Sequence, residues 1–153
     1  MGGVEAVNIS QYLADNGTLT YTNKGVSMWP LLREGRDMFT VSKKGNERCR
    51  IGDVVLYRRP PNFYVLHRVI DVRENDYVIL GDNCIAYEYG ITDADIFGVM
   101  TGFTRGGKSY SVDDSGYRLY TFIILHTITI RIFTKRVISW IMRKLRYILP
   151  GAR

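Results

Sequence analysis

Ser27 stands in Gly25-Val26-Ser27-Met28-Trp29-Pro30, a turn-like setting that would expose its hydroxyl, and a serine hydroxyl attacks a carbonyl carbon once a neighbouring group removes its proton. The chain has two imidazoles, His67 and His126. A neutral imidazole accepts such a proton near pH 7, so a Ser/His pair would carry acyl-transfer chemistry. His67 lies in Tyr64 to Val72, whose pattern predicts a strand with Val65, His67 and Val69 on one face and Leu66, Arg68 and Ile70 on the other. His126 sits in an apolar run and reads as a packing or interfacial residue. Taken singly, Ser27 reads as a turn residue and His67 as a satisfied core histidine. What changes the weighting is the company they keep.

Gly52-Asp53-Val54-Val55, Leu66-His67-Arg68-Val69 and Gly81-Asp82-Asn83 follow Ser27 in an order and spacing that resembles the type I signal peptidases, in the endoplasmic-reticulum, archaeal and spore-former branch where histidine replaces lysine as base. The resemblance spans about residues 20 to 102. It implies a serine endopeptidase that processes leader- or signal-bearing precursors, with Ser27 as nucleophile, His67 as base and small side chains preferred before the scissile bond. It also implies the coiled β-sheet barrel of the signal-peptidase and SOS-repressor clan.

A third, acidic member would hold the imidazole in its productive tautomer. Asp82 matches the family's Gly-Asp-Asn motif, whereas Glu88 falls where the His-type members carry an aspartate and is longer by one methylene. Asp82 is the preferred candidate, Glu88 the alternative and Asp93 a more remote one. Ser27, Met28 and Gly25 are the expected oxyanion- and substrate-binding positions, the Ser27 amide being the natural donor. Many signal peptidases add a hydroxyl two residues before the nucleophile; here that residue is Gly25. Asp53 reads as a turn or strand-start residue.

The elements that must position these groups are short β-branched and aromatic runs punctuated by Gly, Asp and Asn: Leu19 to Thr22, Asp37 to Val41, Asp53 to Tyr57, Tyr64 to Val72, Tyr77 to Leu80, Ile96 to Thr104 and Lys108 to Val112. One short helix precedes them within Val4 to Leu19 and ends at Asn16-Gly17. The expected fold class is therefore mainly β. Three segments follow: an N-terminal helix over 1–18, a peptidase-like β domain over 19–114, and a tail over 115–153. From Ile130 the tail predicts an amphipathic helix, with Phe133, Val137, Trp140, Ile141, Leu145 and Ile148 opposite Arg131, Lys135, Arg136, Arg143 and Arg146, and with Ile132 and Met142 as exceptions.

Charge divides along the same boundary. Of 21 Lys and Arg, eight lie in residues 115–153 with none of the 15 Asp and Glu, so the net charge of +6 comes from the tail while the remainder is net −2. This excludes a basic catalytic body and leaves two readings of the tail, an apolar face packed on the domain with its charges in water or a helix lying at an anionic membrane surface. Trp140 and the unopposed cations favour the second. No nucleic acid is expected, and the expected substrate is a peptide or protein precursor. One helix before the core is too little for a helix-turn-helix DNA reader.

The residues contain no Cys/His cluster at zinc spacing and no phosphate or dinucleotide loop, so neither metal nor cofactor is expected. Gly106-Gly107-Lys108-Ser109 reads as a hairpin turn. Cys49 and Cys84 are expected as free thiols in a reducing compartment. Without an N-terminal anchor, the expectation is a cytoplasmic protein peripheral to the inner face of the membrane, maturing a leader-bearing peptide. A non-catalytic leader-binding module of the same fold is the rival, and a self-cleaving repressor relative, which would use Lys as base, is disfavoured.

Overall fold

The computed structural model of the chain describes residues 9–59 and 63–148, with side chains to residue 145. Residues 1–8, at the start of the expected N-terminal segment, lie outside the described residues, as do the Arg146 and Ile148 side chains of the tail pattern.

Helix α1 (Ile9–Asn16) buries only Leu13 and ends at Gly17, whose amide donates to the Leu13 carbonyl at 3.0 Å and whose φ of 75° is the left-handed conformation a helix C-terminus favours. Eight strands follow: β1 (Thr18–Thr22), β2 (Met38–Lys43), β3 (Val54–Arg59), β4 (Phe63–Val72), β5 (Tyr77–Leu80), β6 (Glu88–Ile91), β7 (Ile96–Arg105) and β8 (Lys108–Ser111). They form one antiparallel sheet in the order β1-β2-β7-β3-β4-β5-β6, with β8 on β7. Strand β7 is long enough to serve several neighbours: its first half pairs with β3 and its second half with β8.

Register shifts at Thr40/Val41, Leu56/Tyr57, Val69/Asp71 and Tyr77/Ile79 mark irregularities of the kind that bend strands and tighten twist. Strands β1 and β6 end the path; among the described residues no pairing joins them. The protein is thus mainly β, with a short N-terminal helix and C-terminal helices.

Alternation along β3 and β4 splits the core in two. Val54, Leu56 and Leu66 join Met28, Leu32, Phe39 and Val41 in one cluster, while Val55, Tyr57, Val69 and Ile79 form the other. His67 stands beside Tyr57, with ring centroids 6.1 Å apart, on the face the β4 pattern predicts.

Seven strands match the sequence reading within a residue or two, and β6 is the one it missed. Glu88-Tyr89-Gly90-Ile91 buries only Ile91 and has Gly90 at φ 73°, so it shows neither alternation nor a β-branched run. In the tail, the apolar run before Arg131 is itself a helix, α2 (Ser115–His126), followed by α3 (Ile128–Ile148). α2 buries Ile124, and Tyr117 and Tyr120 pack against the first core cluster.

Candidate active site

Gly25 adopts φ 78°, its amide donates to Glu34 Oε1 at 2.7 Å, and its carbonyl accepts from Asn23 Nδ2 at 3.1 Å. The Trp29 amide then donates to the Val26 carbonyl at 3.1 Å, which closes a turn with Ser27 and Met28 at its centre. Met28 is fully buried, so its side chain anchors the turn in the core and only its backbone remains for substrate. The Trp29–Pro30 peptide is cis, and Arg105 donates to the Pro30 and Leu31 carbonyls just beyond it. Half-buried Ser27 is held up between exposed Val26 and Trp29.

The loop after β5 grips this turn from the other side. The Asn83 amide donates to the Ser27 carbonyl at 2.7 Å and Asn83 Nδ2 to the Val26 carbonyl at 3.0 Å. Gly81 is what permits the approach: a methyl group there would lie 2.8 Å from the Ser27 carbonyl oxygen, 2.9 Å from His67 Nε2 and 2.7 Å from Cys84 Sγ. The serine turn, the Nε2 side of the imidazole and the Cys84 thiol therefore converge on one point.

His67, only 4% exposed, turns Nδ1 to Glu88 Oε1 at 2.8 Å. A carboxylate only accepts, so in the neutral ring this contact assigns the proton to Nδ1 and leaves the lone pair on Nε2. Glu88 is itself held by Arg59 in a two-pronged contact, at 2.8 Å from Nε and 2.5 Å from the second nitrogen. The Tyr57 hydroxyl lies 3.4 Å from both His67 Nδ1 and the Arg59 guanidinium.

Burial works against ionised Glu88, but hydrogen bonds from His67, Arg59 and Tyr57 outweigh it and bring its pKa down to about 2. Burial likewise opposes the His67 cation, yet the Cys84 sulfur and Glu88 together raise its pKa above the ordinary imidazole value.

The preferred third residue, Asp82, is elsewhere and needs correction. Both its oxygens are taken by buried Arg68, at 2.8 and 2.7 Å, and one also accepts from the Tyr120 hydroxyl at 2.9 Å. Arg68 continues to the Gly52 carbonyl and Thr121, so Asp82 ties sheet to α2. The reason is the alternation of β4: Arg68 and His67 point to opposite faces, and Asp82 follows Arg68. Asp93 is also occupied, by Lys44 at 2.8 Å and the Tyr77 hydroxyl at 2.6 Å. Asp53 Oδ2 accepts the Arg50 amide at 2.8 Å, a local turn cap. His126 is exposed on α2, and among the described residues its hydrogen bond is to the Phe122 carbonyl of its own helix.

Sequence reasoning missed Cys84, Arg59 and Tyr57. Cys84 follows Gly81-Asp82-Asn83 directly and so had a readable signal, whereas Arg59 and Tyr57 of β3 meet Glu88 of β6 only through the tertiary arrangement of strands that are not neighbours in the sheet. Ser27, His67, Cys84 and Arg59 line a cavity of about 370 Å³ that runs past Leu19 and Tyr21 of β1. Among the described residues no group of three or more His, Cys, Asp or Glu is placed to hold a metal ion.

No protein-family profile matches the chain. No curated protein and no solved structure matches it either. The arrangement itself offers a serine beside a cavity, an imidazole with one nitrogen oriented by a carboxylate, and an amide at the turn. Acyl-transfer sites are built from parts of these kinds.

Proposed function

We propose that the protein is a serine endopeptidase of the signal-peptidase type that cleaves a peptide or protein precursor, with Ser27, His67 and Glu88 as its triad on the coiled-barrel fold of that clan. The observation that carries this reading is the Glu88–His67 hydrogen bond at 2.8 Å, with Nε2 directed to the Ser27 turn and the cavity. Ser27 Oγ attacks the scissile carbonyl while His67 Nε2 takes its proton. The oxyanion is met by the Ser27 amide, which donates to no protein acceptor among the described backbone contacts. His67 then protonates the departing amine, and water, deprotonated by the same nitrogen, hydrolyses the Ser27 ester.

Edge strand β1 lines the cavity with Leu19, Tyr21 and Thr22, so an extended substrate can add to that edge. We place the activity on the cytoplasmic side, where the anionic leaflet matches the cationic tail.

One observation favours a second reading, a binding module that holds precursor without cutting it: among the described hydrogen bonds none joins Ser27 Oγ to His67, and Cys84 sits against the imidazole instead. Catalytic hydrogen bonds often form only with substrate bound, which keeps the peptidase reading first. Mass spectrometry of cells carrying Ser27→Ala separates the two. Accumulated uncut precursor supports the peptidase; a peptide profile equal to wild type rejects it.

A further inference from the structure

Helix α3 is attached the wrong way round for a helix that packs on its own domain. Its polar side meets the protein: Ile132 is buried, Arg131 donates to the Asp82 carbonyl, and Lys135 donates to the Asn83 carbonyl and side-chain oxygen. The apolar side is left in the open. Ile130 and Phe133 are 65% and 66% exposed, Ile138 60%, Trp140 52% and Ile141 43%. At 100° per residue, Ile130, Phe133, Val137, Trp140, Ile141 and Leu145 share this side. The spacing continues back into α2 through exposed Leu119, Phe122 and Ile123. The amides of Thr127 and Arg131 donate to the carbonyls four residues earlier, so helical bonding persists across the joint.

An apolar stripe of this extent is left uncovered only where something covers it. Three features select the cover. Arg136 and Arg143 border the stripe, Lys144 rises from within it beside Trp140, and residues 115–153 contain no acid to neutralise them. A cavity of about 670 Å³ combines Ile85, Phe133, Val137 and Trp140 with Arg136 and Arg143, a mixture that suits acyl chains below and phosphates above. Lys144 Nζ lies 4.9 Å from the Trp140 ring centre, close enough to cover the ring with its stem while its charge reaches outward. A second copy on the same face would bring like charges together. Among the described residues no helix is long and apolar enough to cross a membrane.

We propose that α2 and α3 form a peripheral docking surface for an anionic phospholipid bilayer, with the apolar stripe in the interface and the flanking cations among the headgroups. Arg131 and Lys135 tie the lipid-facing helix to the loop that holds the Ser27 turn, so docking presents the cavity to chains at the membrane surface.

The test is co-sedimentation of the full chain with vesicles of phosphatidylcholine alone or with a substantial share of phosphatidylglycerol. Binding is expected to the anionic vesicles and to weaken with salt. The triple substitution Arg136→Gln/Arg143→Gln/Lys144→Gln, at exposed positions, should cut partitioning about 100-fold, and Phe133→Glu/Trp140→Glu should abolish it while thermal melting stays close to wild type. Equal partitioning into both vesicles, or none, overturns the proposal. So does a stable dimer in sedimentation equilibrium that Phe133→Glu/Trp140→Glu dissolves, because a second copy would then own the stripe. Neither readout depends on peptide cleavage, so the peptidase reading stands or falls separately.

Discussion

Glu88 Oε1 lies 2.8 Å from His67 Nδ1, while Asp82, the acid of the Gly-Asp-Asn motif, points away into a buried pair with Arg68. The two carboxylates therefore have separable roles. Glu88→Gln loses the charge that stabilises the imidazolium and lets the ring take the wrong tautomer; kcat/KM should fall about 10³- to 10⁴-fold, while the melting temperature falls less than in Asp82→Asn because Arg59, unlike Arg68, is half-exposed. Asp82→Asn should instead destabilise the fold by about 3–5 kcal/mol, because it strands Arg68, which thermal or urea unfolding reads directly.

The pH profile tests the environment of His67. Its pKa is raised, so the neutral, proton-accepting form appears only above the ordinary value of 6.5, and the acid limb of kcat/KM should sit above that pH. Removing a supporter, by Glu88→Gln or Cys84→Ala, should move the limb to lower pH. Stability has the matching signs. The raised His67 contributes fully below 6.5 and its share fades as pH rises through its folded value. Glu88, lowered from 4.5 to about 2, contributes above 4.5 and is lost as pH falls towards 2. Urea midpoints measured across these ranges show both slopes.

Gly81→Ala places a methyl group 2.8 Å from the Ser27 carbonyl and 2.9 Å from His67 Nε2. Backbone must yield, and a displacement of this size at a reacting group costs on the order of 100-fold in rate. Activity should drop well before stability does, which parallel kinetics and melting curves would show.

Cys84 provides a chemical handle beside His67. Alkylation with iodoacetamide should inactivate the protein by filling the space next to Nε2, while Cys84→Ala keeps activity and resists the reagent. Loss of activity in Cys84→Ala equal to that in Ser27→Ala would make the thiol the nucleophile. Buried Cys49, its thiol pushed up to about 11 by desolvation, should stay unmodified, as peptide mapping would report.

Much of this was readable from residues alone. Strand alternation fixed the face of His67, and Gly25 and Pro30 marked the turn that carries Ser27. The choice between Asp82 and Glu88 was not readable, because it depends on Arg68 claiming Asp82 across the sheet and on β6 bringing Glu88 alongside β5. Strand β6, with one buried residue and a left-handed glycine, leaves no periodic trace. The amphipathic pattern of α3 was plain, but an amphipathic helix normally turns its apolar side inward. Only the contacts of Arg131, Ile132 and Lys135 reveal the reverse.

The most direct measurement of the central claim is mass spectrometry of a diverse peptide library incubated with purified wild-type protein, Ser27→Ala, His67→Ala and Cys84→Ala. New peptide termini should appear with wild type and Cys84→Ala and be missing with Ser27→Ala and His67→Ala. Termini that persist without Ser27 or His67, or a library left uncut by the wild type, would contradict it.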